Sequence, residues 1–117
     1  MRNSNNISKN NPKNENLDHK VTFNKKELGV ILSLYGKMVS MGEWRDYGIS
    51  MLKDLSIFSI YKHNAEFPIY MVKKNSFRNS KVNIFSVVAM DGKIITQGNN
   101  LETVLNPLKL KLIRRVK

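Results

Sequence analysis

The residues best equipped for chemistry in this chain are cations and a single tryptophan. Lys109, Lys111, Arg114, Arg115 and Lys117 put five cations into the last nine residues, with no acid after Glu102. A cluster of that density can neutralise the phosphates of a polyanion. A second basic group, Lys73, Lys74, Arg78 and Lys81, borders a predicted loop. The third candidate is the run after Gly42, namely Glu43, Trp44, Arg45, Asp46 and Tyr47. Tryptophan and arginine are enriched at binding hot spots, and an exposed indole can stack on a base. Each group also has a plainer use. Lysines on a strand edge guard against aggregation. A lone Trp in a small domain packs in the core, with Glu43, Arg45 and Asp46 pairing locally around it.

The inventory for catalysis is poor. His19 and His63 stand too far apart in the chain for metal-ligand spacing, and there is no cysteine, which removes thiolate nucleophiles, disulfides and zinc sites built on Cys. Asp46, Asp54 and Asp91 each have a turn or pairing role, and no carboxylate pair suggests acid–base work. The phosphate-binding loop, the nucleophile elbow and the dinucleotide-binding glycine pattern are all missing. We therefore expect no enzyme activity, no metal and no cofactor. Phe58, Tyr61, Tyr70 and Phe85 fall on predicted strands, where sheet-based RNA binders carry stacking aromatics. Strands favour aromatics for packing alone, and no Gly-Phe signature of those binders accompanies them.

The elements that must position these residues are legible from spacing. Phe23-Asn24-Lys25-Lys26-Glu27-Leu28 sets Asn24 as a helix N-cap with Glu27 three residues on, and Phe23 and Leu28 at the positions of a hydrophobic staple. Leu28, Ile31, Leu32, Tyr35, Met38 and Val39 continue at helical spacing, and Gly42 stands where a left-handed C-cap is wanted. A helix over 25–41 follows. The period then shortens to two. Strands are predicted over 47–51, 56–62 and 69–72, with a turn at Lys53-Asp54 and Pro68 at a strand start. A hairpin over 83–90 and 93–97 is joined by Asp91-Gly92, which suits a two-residue type I′ turn. Asn99 and Glu102 repeat the spacing of a cap and its partner for a short helix that Asn106-Pro107 should stop. Leu108-Lys109-Leu110-Lys111-Leu112 alternates and is predicted as a final strand, with helix as the alternative.

At 117 residues the chain has room for one domain. Residues 1–20, dominated by Asn, Lys, Ser and Glu, bury too little apolar surface to offset ordering, so a disordered polar tail is expected before a single domain over 21–117. The start is polar, without a secretory signal, and no apolar run approaches the ~20 residues that span a bilayer. A cytoplasmic protein without membrane contact is the expectation. The net charge of +11 comes from twenty Lys and Arg, fifteen of them Lys, beside fifteen Asn. Lys, Asn and Ile share A/T-rich codons, so the charge has two sources to choose between: genome composition, or a polyanionic partner.

Several stretches carry a resemblance. Leu32-Ser33-Leu34-Tyr35-Gly36-Lys37-Met38-Val39, the run Gly42-Glu43-Trp44-Arg45-Asp46-Tyr47, Phe58-Ser59, Tyr61 and Pro68-Ile69-Tyr70 resemble an alphaproteobacterial family of short proteins, domain of unknown function 2794. The resemblance covers about residues 21–113 and is most specific at Glu43–Tyr47. It implies a fold shared with relatives and carries over no catalytic residues.

The fold expected is α+β: an N-terminal helix packed on an antiparallel sheet of four or five strands, then a short helix before a C-terminal strand. One helix leaves the other sheet face open, which invites a homodimer or a docked protein. Two functions fit. The first is a basic binding protein that associates with nucleic acid through Lys73, Lys74, Arg78, Lys109, Lys111, Arg114 and Arg115. The second is a protein-interaction or adaptor module using Glu43–Tyr47 and the open sheet face, indifferent to nucleic acid.

Overall fold

The first helix is specified at both ends by its own residues. In the computed structural model, which describes residues 22–75 and 84–110, helix α1 runs Lys25–Ser40. The Glu27 amide donates to Asn24 Oδ1 at 2.7 Å, and the Asn24 amide donates to Glu27 Oε1 at 2.8 Å. This reciprocal pair satisfies two of the amide donors a helix start leaves over. Phe23 is buried and Leu28 packs against the same core, as the staple requires. At the other end Gly42 takes φ +78°. Its amide donates to Val39 O at 2.9 Å, and the Glu43 amide donates to Met38 O at 2.9 Å. Those two bonds form a Schellman motif, whose left-handed residue is cheapest as glycine.

The Schellman turn delivers the chain into a five-stranded antiparallel meander: β1 (Asp46–Met51), β2 (Leu55–Tyr61), β3 (Tyr70–Asn75), β4 (Phe85–Ala89) and β5 (Ile94–Gly98), paired in sequence order. β1 and β2 are joined at Lys53-Asp54, where the Leu52 amide donates to Leu55 O at 2.8 Å. Alternation in β2 buries Ser56, Phe58 and Ile60 on one face. Val72 and Phe85 and Val87 continue that face across β3 and β4, and Ile31, Leu34 and Met38 of α1 close over it. The opposite face carries Ile57, Ser59, Tyr61, Met71 and Lys73, all part-exposed. Val88 is buried without joining the core cluster.

Two local expectations are corrected. The β4–β5 connection is not a two-residue type I′ turn, because only Gly92 has positive φ, at +88°. The Gly92 amide donates to Ala89 O at 2.9 Å, and the Ala89 amide donates to Lys93 O at 2.9 Å. These bonds enclose a three-residue loop, Met90-Asp91-Gly92, with the glycine supplying the left-handed residue. Asp91 Oδ1 accepts from the Lys93 amide at 2.9 Å, which fixes Asp91 as an Asx-type turn residue instead.

The larger correction is at the C-terminus. Helix α2 spans Leu101–Val104, capped by Asn100 Oδ1 accepting from Thr103 N. After one turn residue the chain is helical again over 106–110, so the predicted strand at 108–112 is absent from its described part. Pro107 starts this second helical turn instead of ending structure, since a proline in the first turn forfeits no intrahelical bond. The decisive pattern begins before the alternating lysines. Leu101, Val104, Leu105 and Leu108 are all buried, and their spacing of three, four and seven is that of one helical face. Lys109 and Leu110 fall off that face.

Candidate functional site

Around the entry to β1 an aromatic cluster ties helix to sheet. Tyr35 of α1 meets Tyr47 edge-on at 4.9 Å between ring centroids, and Tyr47 stacks on Phe58 at 4.8 Å with planes 12° apart. Trp44 lies 6.1 Å from Tyr35 and 6.4 Å from Tyr70. The Tyr35 hydroxyl donates to Arg45 O at 2.9 Å. Burial raises the Tyr35 hydroxyl above its ordinary value, and the negative charges of Asp46 and ionised Tyr47 push the same way.

This geometry separates the five residues of the candidate interaction segment. Trp44 is only 4% exposed and belongs to the core cluster, so its indole packs and presents no stacking platform. Glu43 is half-buried at the helix exit, while Arg45, Asp46 and Tyr47 are exposed. The surface available here is therefore the outer rim of β1, not the tryptophan.

The basic candidates separate as well. Neighbouring strand residues point to opposite faces, and Lys73 and Lys74 obey that rule. Lys74 lies on the α1 face, where its Nζ pairs with Glu27 Oε1 at 2.7 Å and donates to Thr22 O at 3.0 Å. It fastens β3 to the start of α1. Lys73 sits on the open face, opposite Ile57 and Ser86. Lys109 lines a groove of about 560 Å³ between α1 and the C-terminal helical turns. Lys26, Gly29, Val30, Ser33, Leu34 and Lys37 of α1 line the same groove, together with Glu102 of α2. Arg78, Lys81, Lys111, Arg114, Arg115 and Lys117 lie outside the described residues.

Sequence reasoning missed Lys26 and Lys37 as companions of Lys109. The signal was present: residues 26, 30, 33 and 37 recur on one side of a helix, next to the core stripe. Among the described residues no group of three or more His, Asp or Glu is placed to hold a metal. No helix among them is long and apolar enough to cross a membrane.

The distribution of charge is the other electrostatic feature. Residues 22–75 and 84–110 contain ten Lys and Arg against seven Asp and Glu, a net of +3. The remaining 36 residues hold ten cations and two acids, so +8 of the +11 is theirs, and +4 of that falls in residues 111–117. The sheet and helix scaffold is close to neutral.

No curated protein and no solved structure matches this chain. The model of a family described as "Protein of unknown function (DUF2794)" matches residues 21–105, and the chain belongs to that family.

Proposed function

We propose that this member of the DUF2794 family is a polyanion-binding protein, with nucleic acid as the polyanion, in which the sheet domain carries a basic C-terminal end. The observation that supports this reading is the segregation of charge. Drift in genome composition acts along the whole chain alike. It should load the Asn-rich residues 1–21 at least as heavily as the last seven, yet the first 21 carry a net +2 and the last seven +4. Lys109 begins that terminal cluster, and Lys26 and Lys37 line the same groove as it does. Cations so grouped gain affinity by releasing the counterions condensed on a nucleic-acid backbone. Phosphate contact of this kind carries no base readout, so binding should be tolerant of sequence.

The test is binding of mixed-sequence single- and double-stranded oligonucleotides at near-physiological salt, with the full chain and with a chain ending at Leu110. Micromolar or tighter binding by the full chain, lost on truncation, is the expected result. Binding confined to low salt would assign the charge to composition. The adaptor reading of Glu43–Tyr47 loses its Trp44 anchor to the core and keeps support only from the exposed rim of β1.

A further inference from the structure

The two edges of the sheet are treated differently. On the β5 side, a register shift between Val87 and Val88 interrupts the ladder, and α2 packs against β5 and β4. Bulges and covering elements are the usual devices that stop an edge from pairing. Among the described residues β1 has none of them within Asp46–Met51. Asp46–Met51 contains no lysine and no proline, pairs with β2 over its whole length without a shift, and exposes Tyr47 by 46%, Ile49 by 40% and Met51 by 50%.

The hydrogen-bond parity of β1 is fixed. The Leu52 amide bonds to Leu55 O, and 52 with 55 continues the register that pairs 50 with 57, 48 with 59 and 46 with 61. In an antiparallel ladder, hydrogen-bonded pairs alternate with non-bonded ones. Asp46, Gly48 and Ser50 therefore spend their backbone groups on β2, while those of Tyr47, Ile49 and Met51 point to the open edge. A partner strand must bond to Tyr47 and Ile49; the parity ends at Arg45, whose amide donates to Tyr61 O at 2.8 Å and whose carbonyl accepts from the Tyr35 hydroxyl.

We infer that β1 is the interface of a homodimer, in which the β1 strands of two copies pair antiparallel about a two-fold axis at Gly48 to make a ten-stranded sheet. Parity allows a two-fold at any residue of β1; the central positions Gly48 and Ile49 give the longest pairing, and side-chain chemistry selects the first. At Gly48, each Tyr47 lies across from Ile49 of the other copy, an aromatic–β-branched pair formed twice. On the other face each Asp46 carboxylate meets the hydroxyl donor of Ser50, and glycine meets glycine where the strands run closest. At Ile49 the same carboxylate would face Leu52.

Charge also points to a second copy. β1 carries only the charge of Asp46, in a chain of net +11. Because α2 leans on β4 and β5, joining at β1 leaves the C-terminal helical turns at the far ends of the long sheet. The pairing thus brings together the least cationic edge. It stands whether or not the basic end binds nucleic acid.

A single introduced cysteine tests both the dimer and its register, since the chain has none of its own. Gly48 is a non-hydrogen-bonded position of the proposed pair, where Cα atoms approach to about 4.5 Å, within the ~4.4–6.8 Å a disulfide spans. A Cβ at Gly48 meets no atom within 4 Å, so Gly48→Cys should fold. Under mild oxidation it should give a disulfide-linked dimer in high yield, whereas Ile49→Cys should crosslink several-fold more slowly. Sedimentation of the cysteine-free chain should show a concentration-dependent dimer. Ile49→Lys should weaken it about tenfold or more while keeping the wild-type circular dichroism, and Ile94→Lys at the opposite edge should leave it unchanged. A chain that stays monomeric at hundreds of micromolar overturns the inference. So does a dimer indifferent to Ile49→Lys, and faster crosslinking of the Ile49→Cys chain than of the Gly48→Cys chain overturns the register.

Discussion

Trp44 shows how one residue can be read correctly in type and still be given two roles. Its neighbours Glu43, Arg45 and Asp46 gave it the dress of a binding hot spot, but its ring is enclosed by Tyr35 and Tyr70. Hydropathy could not decide this, because burial depends on where the Schellman turn at Gly42 swings the chain. Trp44→Ala should therefore cost about 3–5 kcal/mol of stability, the range for emptying a buried aromatic site, measured by denaturant unfolding. A folded Trp44→Ala domain of near-wild-type stability would return the indole to the surface. Tyr35 supplies a second test at this scale. Its hydroxyl is raised above the ordinary 10.0 by burial first, and by Asp46 and Tyr47 after that. The folded form then holds its proton more tightly than the unfolded chain, so the associated stability is intact below pH 10.0 and is lost as pH climbs through the higher folded value. Unfolding midpoints followed from about pH 9 upward should fall more gently in Tyr35→Phe than in the wild type. Identical slopes would remove Tyr35 from the alkaline transition.

Among the elements, those whose signals are local were legible. Asn24 and Glu27, Phe23 and Leu28, and Gly42 each act within one or two turns, so the ends of α1 follow from neighbouring residues alone. The five strands follow from alternation and turn residues in the same way. The C-terminal segment failed because two periodicities overlap there. Leu108-Lys109-Leu110 alternates, but the stripe Leu101, Val104, Leu105 and Leu108 had already set a helical phase, and the core rewards that phase with four buried side chains. Helix and strand give different mutational patterns. In a strand Leu108 and Leu110 would share a face and matter alike. Here Leu108 is fully buried and Leu110 is 51% exposed. Leu108→Ala should cost about 2–5 kcal/mol, and Leu110→Ala no more than about 0.5 kcal/mol, by the same unfolding measurement. Equal losses would contradict the helical phase.

For the whole molecule, the sequence yielded the α+β class and the order of elements as far as α2, but not the helical turn that follows it. The sites were harder to read, because their members meet only in space. Lys73 and Lys74 are adjacent in the chain and end on opposite faces, one of them in an ion pair with Glu27. Lys26, Lys37 and Lys109 are scattered and end around one groove. What results is a near-neutral scaffold, with +8 of the +11 carried by the other 36 residues, and, among the described residues, one bare sheet edge and one guarded edge. The measurement that bears most directly on the polyanion reading is the slope of log K against log salt for duplex DNA. Each phosphate neutralised contributes about −0.9 to that slope, so removing Lys111, Arg114, Arg115 and Lys117 should flatten it by about three to four units. Lys74→Gln, which alters an internal tie, should leave the slope where it was. An unchanged slope after removal of residues 111–117 would contradict the account.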